Sequence, residues 1–395
     1  MAADFLTSPF DNLLKPVDEQ IILHNDLVSS LILGNKIKIH TSERGIPDLD
    51  NVDIAIIGVN EYRNSVNYVG DEQNLNEIRQ SLYALYPGNW STVISDLGDL
   101  ILGDDVSQTY SRLISLLNIL NEKKIIPIII GGSQDLVYAN YRAYDDLKKT
   151  VNIVNIDSNF DLGDSSKDMN NMSYLGKIIL DEPHNLFNYS NLGFQTYHNS
   201  QEEIDLMQNL YFEMYRLGDV CQKISLAEPV LRDAHVVSID MKSIKASELS
   251  SRQKFSPNGF DGKEICSLSR YAGISNKVSS FGIYEYKSSN EDELTENLIA
   301  QIIWYFIEGV NCRINDSDFS NMEEFEKYTS TIDEYELIFI KNKISSRWWI
   351  KIPSETENNN INENTLLPCT FEDFELSKSG IIPERWFKAL KKNIL

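Results

Sequence analysis

Short apolar runs rich in β-branched residues alternate with stretches of helical periodicity along most of the chain. Six runs predict buried strands, at residues 52–59, 93–101, 125–130, 151–156, 235–240 and 278–283. Amphipathic spacing predicts helices at residues 17–33, 76–86, 110–121, 202–219, 263–271 and 293–309; in the last, Leu294, Leu298, Ile302 and Phe306 are expected to form the buried stripe. This alternation predicts an α/β fold, a three-layer doubly wound mostly parallel sheet with right-handed crossovers.

Polar residues follow three of these strands directly. The strand at 125–130 stops at Gly131-Gly132, and Ser133, Gln134 and Asp135 come next. The strand at 151–156 is followed by Asp157-Ser-Asn-Phe-Asp161, and the strand at 235–240 ends in Asp240-Met-Lys242. Parallel strands deliver their carboxyl ends to one edge of the sheet, where open α/β sheets build their sites. We therefore expect a site at this edge.

These strand ends resemble three signatures of the arginase, agmatinase and formimidoylglutamase superfamily, the ureohydrolases, and the resemblance extends over roughly residues 50–310. The resemblance implies an arginase-like fold and a site for two manganese ions with six ligands. These ligands are a His after Gly-Gly-Asp, the two Asp and the His of Asp-Ala-His-x-Asp, and the two Asp of Ser-x-Asp-x-Asp. By position, Gln134, Asn159 and Lys242 replace three of them, and Asp157, Asp161 and Asp240 remain.

The same resemblance extends to the substrate pocket. Glu285 matches in position the glutamate that ureohydrolases use to hold the guanidinium or amine end of the substrate. Asn67 lies in a loop that lines the mouth of the site in the family, and Asp96-Leu-Gly-Asp99 resembles a strand-end phrase of ureohydrolases. Active members place a further His for proton transfer after the second signature, but no His occurs between Asp161 and Glu182.

Two metal ions that share a bridging hydroxide need carboxylate and imidazole ligands, and both imidazoles and one carboxylate are missing here. A lysine at the sixth position adds positive charge where the ions would lie. The sequence therefore predicts a pseudoenzyme of the family, with no catalytic residues and no cofactor, that serves as a binding or scaffolding protein. Lys242 is expected to act as the counter-ion of the remaining aspartates.

Three alternatives stay open. In the first, the protein is an active hydrolase of C–N bonds in linear amidines, with an altered site and manganese as its cofactor. In the second, Asp157, Asp161 and Asp240 hold a single magnesium or calcium ion with water. In the third, the chain aligns with the family signatures in a different register, and metal ligands come from the five histidines, which are His24, His40, His184, His198 and His235.

The pattern divides the chain into an N-terminal helical extension (1–50), the α/β domain (51–312) and a C-terminal extension (313–395). In the extension, strands at 334–340 and 346–352 form a hairpin that carries Arg347-Trp-Trp349, and residues 383–392 form a helix with Trp386 and Phe387. The segment at about 354–366 is predicted to be a disordered loop. So much aromatic surface is expected to dock on the body of the protein or to bind a protein partner.

Composition narrows the class of partners. The 395 residues include 36 basic and 59 acidic residues, a net charge of -23, which argues against nucleic acid and anionic membranes as partners. No apolar run approaches the roughly eighteen residues of a membrane span, and the first residues do not resemble a signal peptide. Four scattered cysteines predict buried thiols, and a cytoplasmic location is expected. The sequence leaves an oligomer open.

Overall fold

The computed structural model describes residues 10, 12–26, 30–66, 73–147, 149–164, 166–250, 256–288, 292–316, 319, 322–353 and 366–394. The main sheet in this part has 10 strands: β1 (Leu14–Lys15), β2 (Lys38–Ile39), β3 (Ile54–Val59), β4 (Ile94–Leu100), β5 (Ile126–Gly131), β6 (Val151–Ile156), β7 (Leu186–Phe194), β8 (Glu213–Arg216), β9 (Val236–Asp240) and β10 (Ser280–Tyr284). Their order is β1-β4-β3-β5-β10-β9-β6-β7-β8, with β2 paired to β4. All neighbours are parallel except β1 and β4.

Helices cover both faces of this sheet, so the predicted three-layer α/β fold is confirmed. Alternation along a strand divides its side chains between two cores: in β3, Ile54 and Ile56 join one core while Ala55 and Ile57 join the other. The helices of this unit are α1 (Glu19–Asp26), α2 (Leu75–Tyr83), α3 (Val106–Glu122), α4 (Leu136–Arg142), α5 (Tyr174–Leu180), α6 (Gln201–Asn209), α7 (Leu217–Gln222), α8 (Ala227–Arg232), α9 (Gly262–Ile274) and α10 (Leu294–Asn311). Among the described residues, no helix is long and apolar enough to cross a membrane.

The single helix predicted at 202–219 is wrong. Helix α6 begins with a capping box at Ser200 and ends at Asn209, and Tyr211 then has a φ of 54°, which no α-helix continues through. Strand β8 and helix α7 follow. The apolar residues at helical spacing are thus distributed over three short elements, α6, β8 and α7. Strand β8 pairs with β7, a strand that the sequence did not reveal. In the buried stripe of α10, Leu294 is also wrong, because it is 46% exposed.

Part of the N-terminal segment belongs to the main sheet. Besides α1, it supplies β1 and β2, which both pair with β4. Beside them, the fully buried Arg79 of α2 forms ion pairs with Asp96 (3.0 Å) and Asp99 (2.7 Å), and Tyr83 donates a hydrogen bond to Asp96 (2.8 Å). The strand-end phrase at Asp96 therefore holds the structure together at this edge of the sheet.

The C-terminal residues form a second, antiparallel sheet, in which β11 (Phe325–Ile332), β12 (Tyr335–Asn342), β13 (Trp348–Lys351) and β14 (Leu366–Cys369) are neighbours in that order, with two helices. The predicted hairpin and final helix are found, but sequence analysis missed two strands and one helix. Of the loop predicted at about 354–366, residues 354–365 lie outside the described residues, and Leu366 begins β14. Trp348 and Trp386 are buried in a core made of this unit's own side chains. The two helices are α11 (Phe371–Lys378) and α12 (Glu384–Ile394).

Charged groups join this unit to the main one. The buried Arg232 guanidinium lies 4.5 Å from the Trp349 ring centre and donates to the carbonyls of Trp348 and Cys369 at 3.1 and 3.0 Å. On α12, Arg385 pairs with Glu213 of β8 at 2.7 Å. The aromatic residues of the extension thus pack mainly on one another, while arginines and lysines make polar contacts between the extension and the body.

Candidate functional site

Four neighbouring strands, β5, β10, β9 and β6, bring the predicted site residues to one edge of the sheet. Gln134 follows β5, Glu285 follows β10, Asp240 ends β9 and Asp157 follows β6. Because the four strands are parallel, their carboxyl ends meet, as expected for an α/β site. The site is therefore assembled from segments that lie far apart in the sequence.

Three carboxylates meet at the centre of this edge. Asp157, Asp161 and Asp240 each offer an oxygen that lies within 4.8 Å of the others, and all three side chains are buried. Burial raises the pKa of each carboxyl group, and the charge of Asp157 raises that of Asp161 further. One oxygen of Asp161, Oδ2, is buried without a hydrogen-bond partner in the described part of the chain. This cluster requires positive charge or protons.

Gln134 places a neutral amide against the cluster. Its Nε2 lies 3.0 Å from both Asp157 Oδ2 and Asn155 Oδ1, and Asn155 Nδ2 approaches the same Asp157 oxygen at 3.2 Å. An amide N–H is a hydrogen-bond donor and cannot ligate a cation, so Asp157 Oδ2 is occupied by two donors. Sequence analysis missed Asn155, although an asparagine inside a fully buried apolar strand was a usable signal.

The side chain of Asn159 takes no part in the carboxylate cluster. Its Nδ2 donates to the His198 carbonyl at 3.0 Å, and its Oδ1 accepts from Ser158 Oγ at 2.9 Å. The backbone N–H of Asn159 instead serves the site, because it donates to Asp157 Oδ1 at 3.0 Å. Of the two positions where the family has a histidine, one therefore presents an amide to the cluster and the other turns to a neighbouring loop.

Lys242 supplies the positive charge. Its Nζ lies 3.5 Å from Asp240 Oδ2 and 3.4 Å from Glu285 Oε2, so it joins the ends of β9 and β10. Burial would lower the pKa of this lysine, but Asp240, Glu285, Asp161 and Asp157 together raise it. The side chain is 32% exposed, whereas Asp240 and Glu285 are almost fully buried. The ammonium contacts two of the four carboxylates and acts on the others through space.

Glu285 lies where the resemblance placed it, and its carboxylate is held within the protein. Its Oε1 accepts from the backbone N–H of Gln134 (3.0 Å) and from Asn171 Nδ2 (2.9 Å). Asn171, to which sequence analysis gave no role, also accepts a hydrogen bond from the Val66 N–H at 3.0 Å. It therefore links the site to the loop that follows β3. Asn67, the other pocket candidate, lies outside the described residues.

Two members of the site have a left-handed backbone. Asp161 has a φ of 55° and Glu285 a φ of 60°, a region that non-glycine residues seldom occupy and that costs on the order of 1 kcal/mol or more. Such positions persist only where the surrounding structure imposes them. Here both orient an acidic side chain toward the same centre, so the frame of the site is built even though half of its expected ligands are absent.

The histidines lie elsewhere. His40 Nδ1 contacts the Leu97 carbonyl at 2.9 Å, and His235 accepts from the Asn152 N–H at 3.0 Å, with burial lowering its pKa to about 4. His184 and His198 are exposed, and the side chain of His24 is outside the described part. Among the described side chains, no histidine joins the aspartate cluster. The structure therefore gives no support to ligands from a different register.

A sequence model described as the arginase family matches residues 52–308. A formimidoylglutamase of Streptococcus gordonii is 23% identical over 292 residues, which is 68% of this chain and 87% of that protein.

Three solved structures have folds similar to that of this chain. A formiminoglutamase of Trypanosoma cruzi, crystallised with Mn²⁺, has a TM-score of 0.60 at 18% identity and covers 68% of this chain and 96% of its own. The Bacillus subtilis formimidoylglutamase gives 0.58 at 17% identity, covering 70% of this chain and 97% of its own. The agmatine ureohydrolase of Thermoplasma volcanium gives 0.58 at 18% identity, covering 73% of this chain and 96% of its own.

Proposed function

The chain belongs to the arginase family, and from this premise we propose that it is a non-hydrolytic member whose strand-end site is neutralised by a lysine instead of by metal ions. Lys242 carries the proposal, since it makes ion pairs of 3.5 and 3.4 Å with Asp240 and Glu285. A cationic side chain at this position opposes the entry of a divalent cation by charge repulsion. The protein would then act through binding.

The donor set at the site does not fit a pair of manganese ions. Two such ions need about six protein ligands including imidazoles, whereas the described part of the chain offers three clustered carboxylates and no imidazole. Gln134 directs N–H groups at Asp157 Oδ2, and Lys242 holds Asp240 Oδ2, so two of the carboxylates are already engaged. The described side chains at this site therefore do not form a ligand set for a metal pair.

A second candidate is an amidine hydrolase with an altered site. The observation that favours it is the convergence of Asp157, Asp161 and Asp240 within 4.8 Å, together with the unpartnered Oδ2 of Asp161. Three carboxylates and water are a donor set suited to one hard cation such as Mg²⁺ or Ca²⁺. For such an ion to bind, the ammonium of Lys242 would have to move away from Asp240.

An activity assay tests the first proposal. Incubated with Mn²⁺ and arginine, agmatine or formimidoylglutamate, the protein should release no urea, ammonia or formamide above a blank, because no metal pair generates the attacking hydroxide. The Streptococcus gordonii formimidoylglutamase serves as the positive control, and elemental analysis of protein purified without chelator should find no stoichiometric metal. Turnover proportional to protein and abolished by Asp157→Ala would establish the second candidate instead.

We further propose that a protein partner binds the C-terminal extension. Four large apolar side chains of α11, α12 and their connection are 38 to 53% exposed: Phe371, Leu376, Ile381 and Phe387. Replacing Phe371 and Phe387 with serine should leave the melting temperature nearly unchanged, because exposed positions contribute little to stability, and should abolish recovery of the partner by cross-linking in extract. Recovery of the same cross-linked proteins by this variant and by the unchanged chain contradicts the proposal.

A further inference from the structure

A second polar feature lies at the edge of the main sheet, where side chains of α12 contact β7 and β8. Three cationic side chains, Arg385, Lys388 and Lys392, follow one face of this helix at spacings of three and four residues. Arg385 pairs with Glu213 at 2.7 Å and Lys388 with Glu384 at 2.8 Å. No carboxylate of the described part lies within 4.0 Å of Lys392 Nζ. Of these three cations, Lys392 is therefore the one without an ion pair to a described carboxylate.

The surroundings of Lys392 are largely apolar. Its ammonium lies 5.9 and 5.3 Å from the ring centres of Phe187 and Phe212, and it donates a hydrogen bond to Asn188 Oδ1. Burial lowers the pKa of Lys392 to about 8, although the charge of Glu213 acts in the opposite direction. One amide oxygen and two rings leave donor capacity on an ammonium that has three hydrogens.

A cavity of about 320 Å³ opens beside this ammonium. Its apolar wall comes from α5, β7 and the segment after α6 and includes Ile178, Ile179, Leu186, Phe187, Leu210 and Phe212. Among the described residues, Lys392 is the one lysine or arginine of the lining, and His184, Asn209 and Tyr211 complete it. Pockets of this size accept small ligands, and their few polar groups determine which end of a ligand enters. A mainly apolar cavity with a lysine ammonium in its wall is complementary to an apolar molecule with one anionic group.

We propose that this cavity binds a small amphipathic carboxylate, whose hydrocarbon part lies among Ile178, Leu186 and Leu210 and whose carboxylate pairs with Lys392. The carboxylate supplies the counter-charge that the described part of the chain does not place within salt-bridge distance of Lys392. The site is built by both units, since its walls belong to the main sheet and its cation to α12. It is independent of the function proposed for the strand ends.

Octanoate is the probe for this proposal, titrated calorimetrically into the full-length protein. Saturable binding is expected, and Lys392→Met should weaken it about tenfold or more, because a charge-assisted hydrogen bond is lost while the apolar stem remains. Lys391→Met is the matched control: Lys391 is the adjacent lysine on α12, is not part of the cavity lining, and should leave the affinity within about twofold. Octylamine, with the same chain length and the opposite charge, should not bind.

Two further variants separate loss of binding from loss of folding. Lys392→Arg keeps the charge and should retain most of the affinity, whereas Ile179→Glu brings a carboxylate into the partly buried wall and should abolish binding with the melting temperature nearly kept. The proposal is overturned if the unchanged protein shows no saturable binding at millimolar octanoate. It is also overturned if Lys392→Met binds as tightly as the unchanged protein, or if octylamine binds equally well.

Discussion

Arg385→Met is expected to lower the free energy of unfolding by about 3 kcal/mol, because it leaves the Glu213 carboxylate buried without its arginine. The two side chains are 15 and 5% exposed and meet at 2.7 Å across the junction between α12 and β8. Glu213 keeps hydrogen bonds from Asn188 (2.9 Å) and Tyr215 (2.7 Å), which is why the loss falls at the lower end for a broken buried pair.

The loss should depend on pH in a defined direction. Burial alone would raise the pKa of Glu213, but Arg385, Lys392 and the hydrogen bond from Tyr215 lower it to about 2. A carboxyl group with a lowered pKa stabilises the fold above its unfolded-state pKa of about 4.3, and this contribution is lost as pH falls through the folded-state pKa. The difference between Arg385→Met and the unchanged protein should therefore be largest near pH 7 and shrink toward pH 2.

Urea unfolding at pH 7 and at acid pH measures both effects. Lys391→Met, on the same helix but stacked on Phe387, is the control and should change stability by less than about 0.5 kcal/mol. The double change Glu213→Gln with Arg385→Met should recover part of the loss, since no buried carboxylate remains. If Arg385→Met proves as stable as the control, the ion pair does not hold the extension to the body.

The sequence was sufficient for the parallel sheet, because buried parallel strands are continuous apolar runs that end in polar residues. It was insufficient where a buried strand carries polar side chains. Strand β7 contains Asn188, Ser190 and Asn191, all buried, and Asn188 donates to Glu213 of the neighbouring strand. Such polar groups are tolerated only because tertiary partners satisfy them, and those partners are far away in the chain. Nothing local distinguished this strand from a loop.

The candidate site was likewise predictable only in part. Strand ends and family resemblance were sufficient to predict that Asp157, Asp161, Asp240 and Lys242 lie together. They were not sufficient to predict the contacts between individual atoms. The ammonium of Lys242 pairs with Glu285 as well as Asp240, and Asn171 holds Glu285 from a loop with no motif of its own. These contacts depend on rotamers and loop paths that residue spacing does not encode.

Lys242→Met is expected to lower the free energy of unfolding by about 2 kcal/mol at neutral pH. The change removes the ammonium from between Asp240 and Glu285 and leaves two almost fully buried carboxyl groups without a cation. The loss is smaller than for a fully buried pair because the lysine side chain is 32% exposed and water already screens it. Methionine keeps the length of the stem, so the effect reports charge more than packing.

Acid should remove this penalty. Asp157, Asp161 and Asp240 have raised pKa values in the fold, so each contributes most to stability below its unfolded-state pKa of about 3.9, and that contribution is lost as pH rises through the folded-state value. Without the ammonium these pKa values rise further. The difference between Lys242→Met and the unchanged protein should therefore be small near pH 4 and grow toward neutral pH. A difference that is constant with pH would show that lost packing, not charge, is responsible.

The triple change Gln134→His, Asn159→His and Lys242→Asp should instead make stability depend on manganese. It removes the ammonium and offers two imidazoles and a fourth carboxylate to a frame in which Asp157, Asp161 and Asp240 already converge within 4.8 Å. Metal that binds the folded state alone stabilises it by about 2.7 kcal/mol at a hundred times its Kd. Melting temperatures with Mn²⁺ and with chelator should separate for this variant and coincide for the unchanged protein and for Lys242→Met. Because Asn159 now bonds to the His198 carbonyl, the new imidazole must leave that loop to reach the cluster. Manganese-dependent stabilisation of the unchanged protein would mean that Lys242 yields its place to a metal, and the lysine would then not be the resident cation of this site.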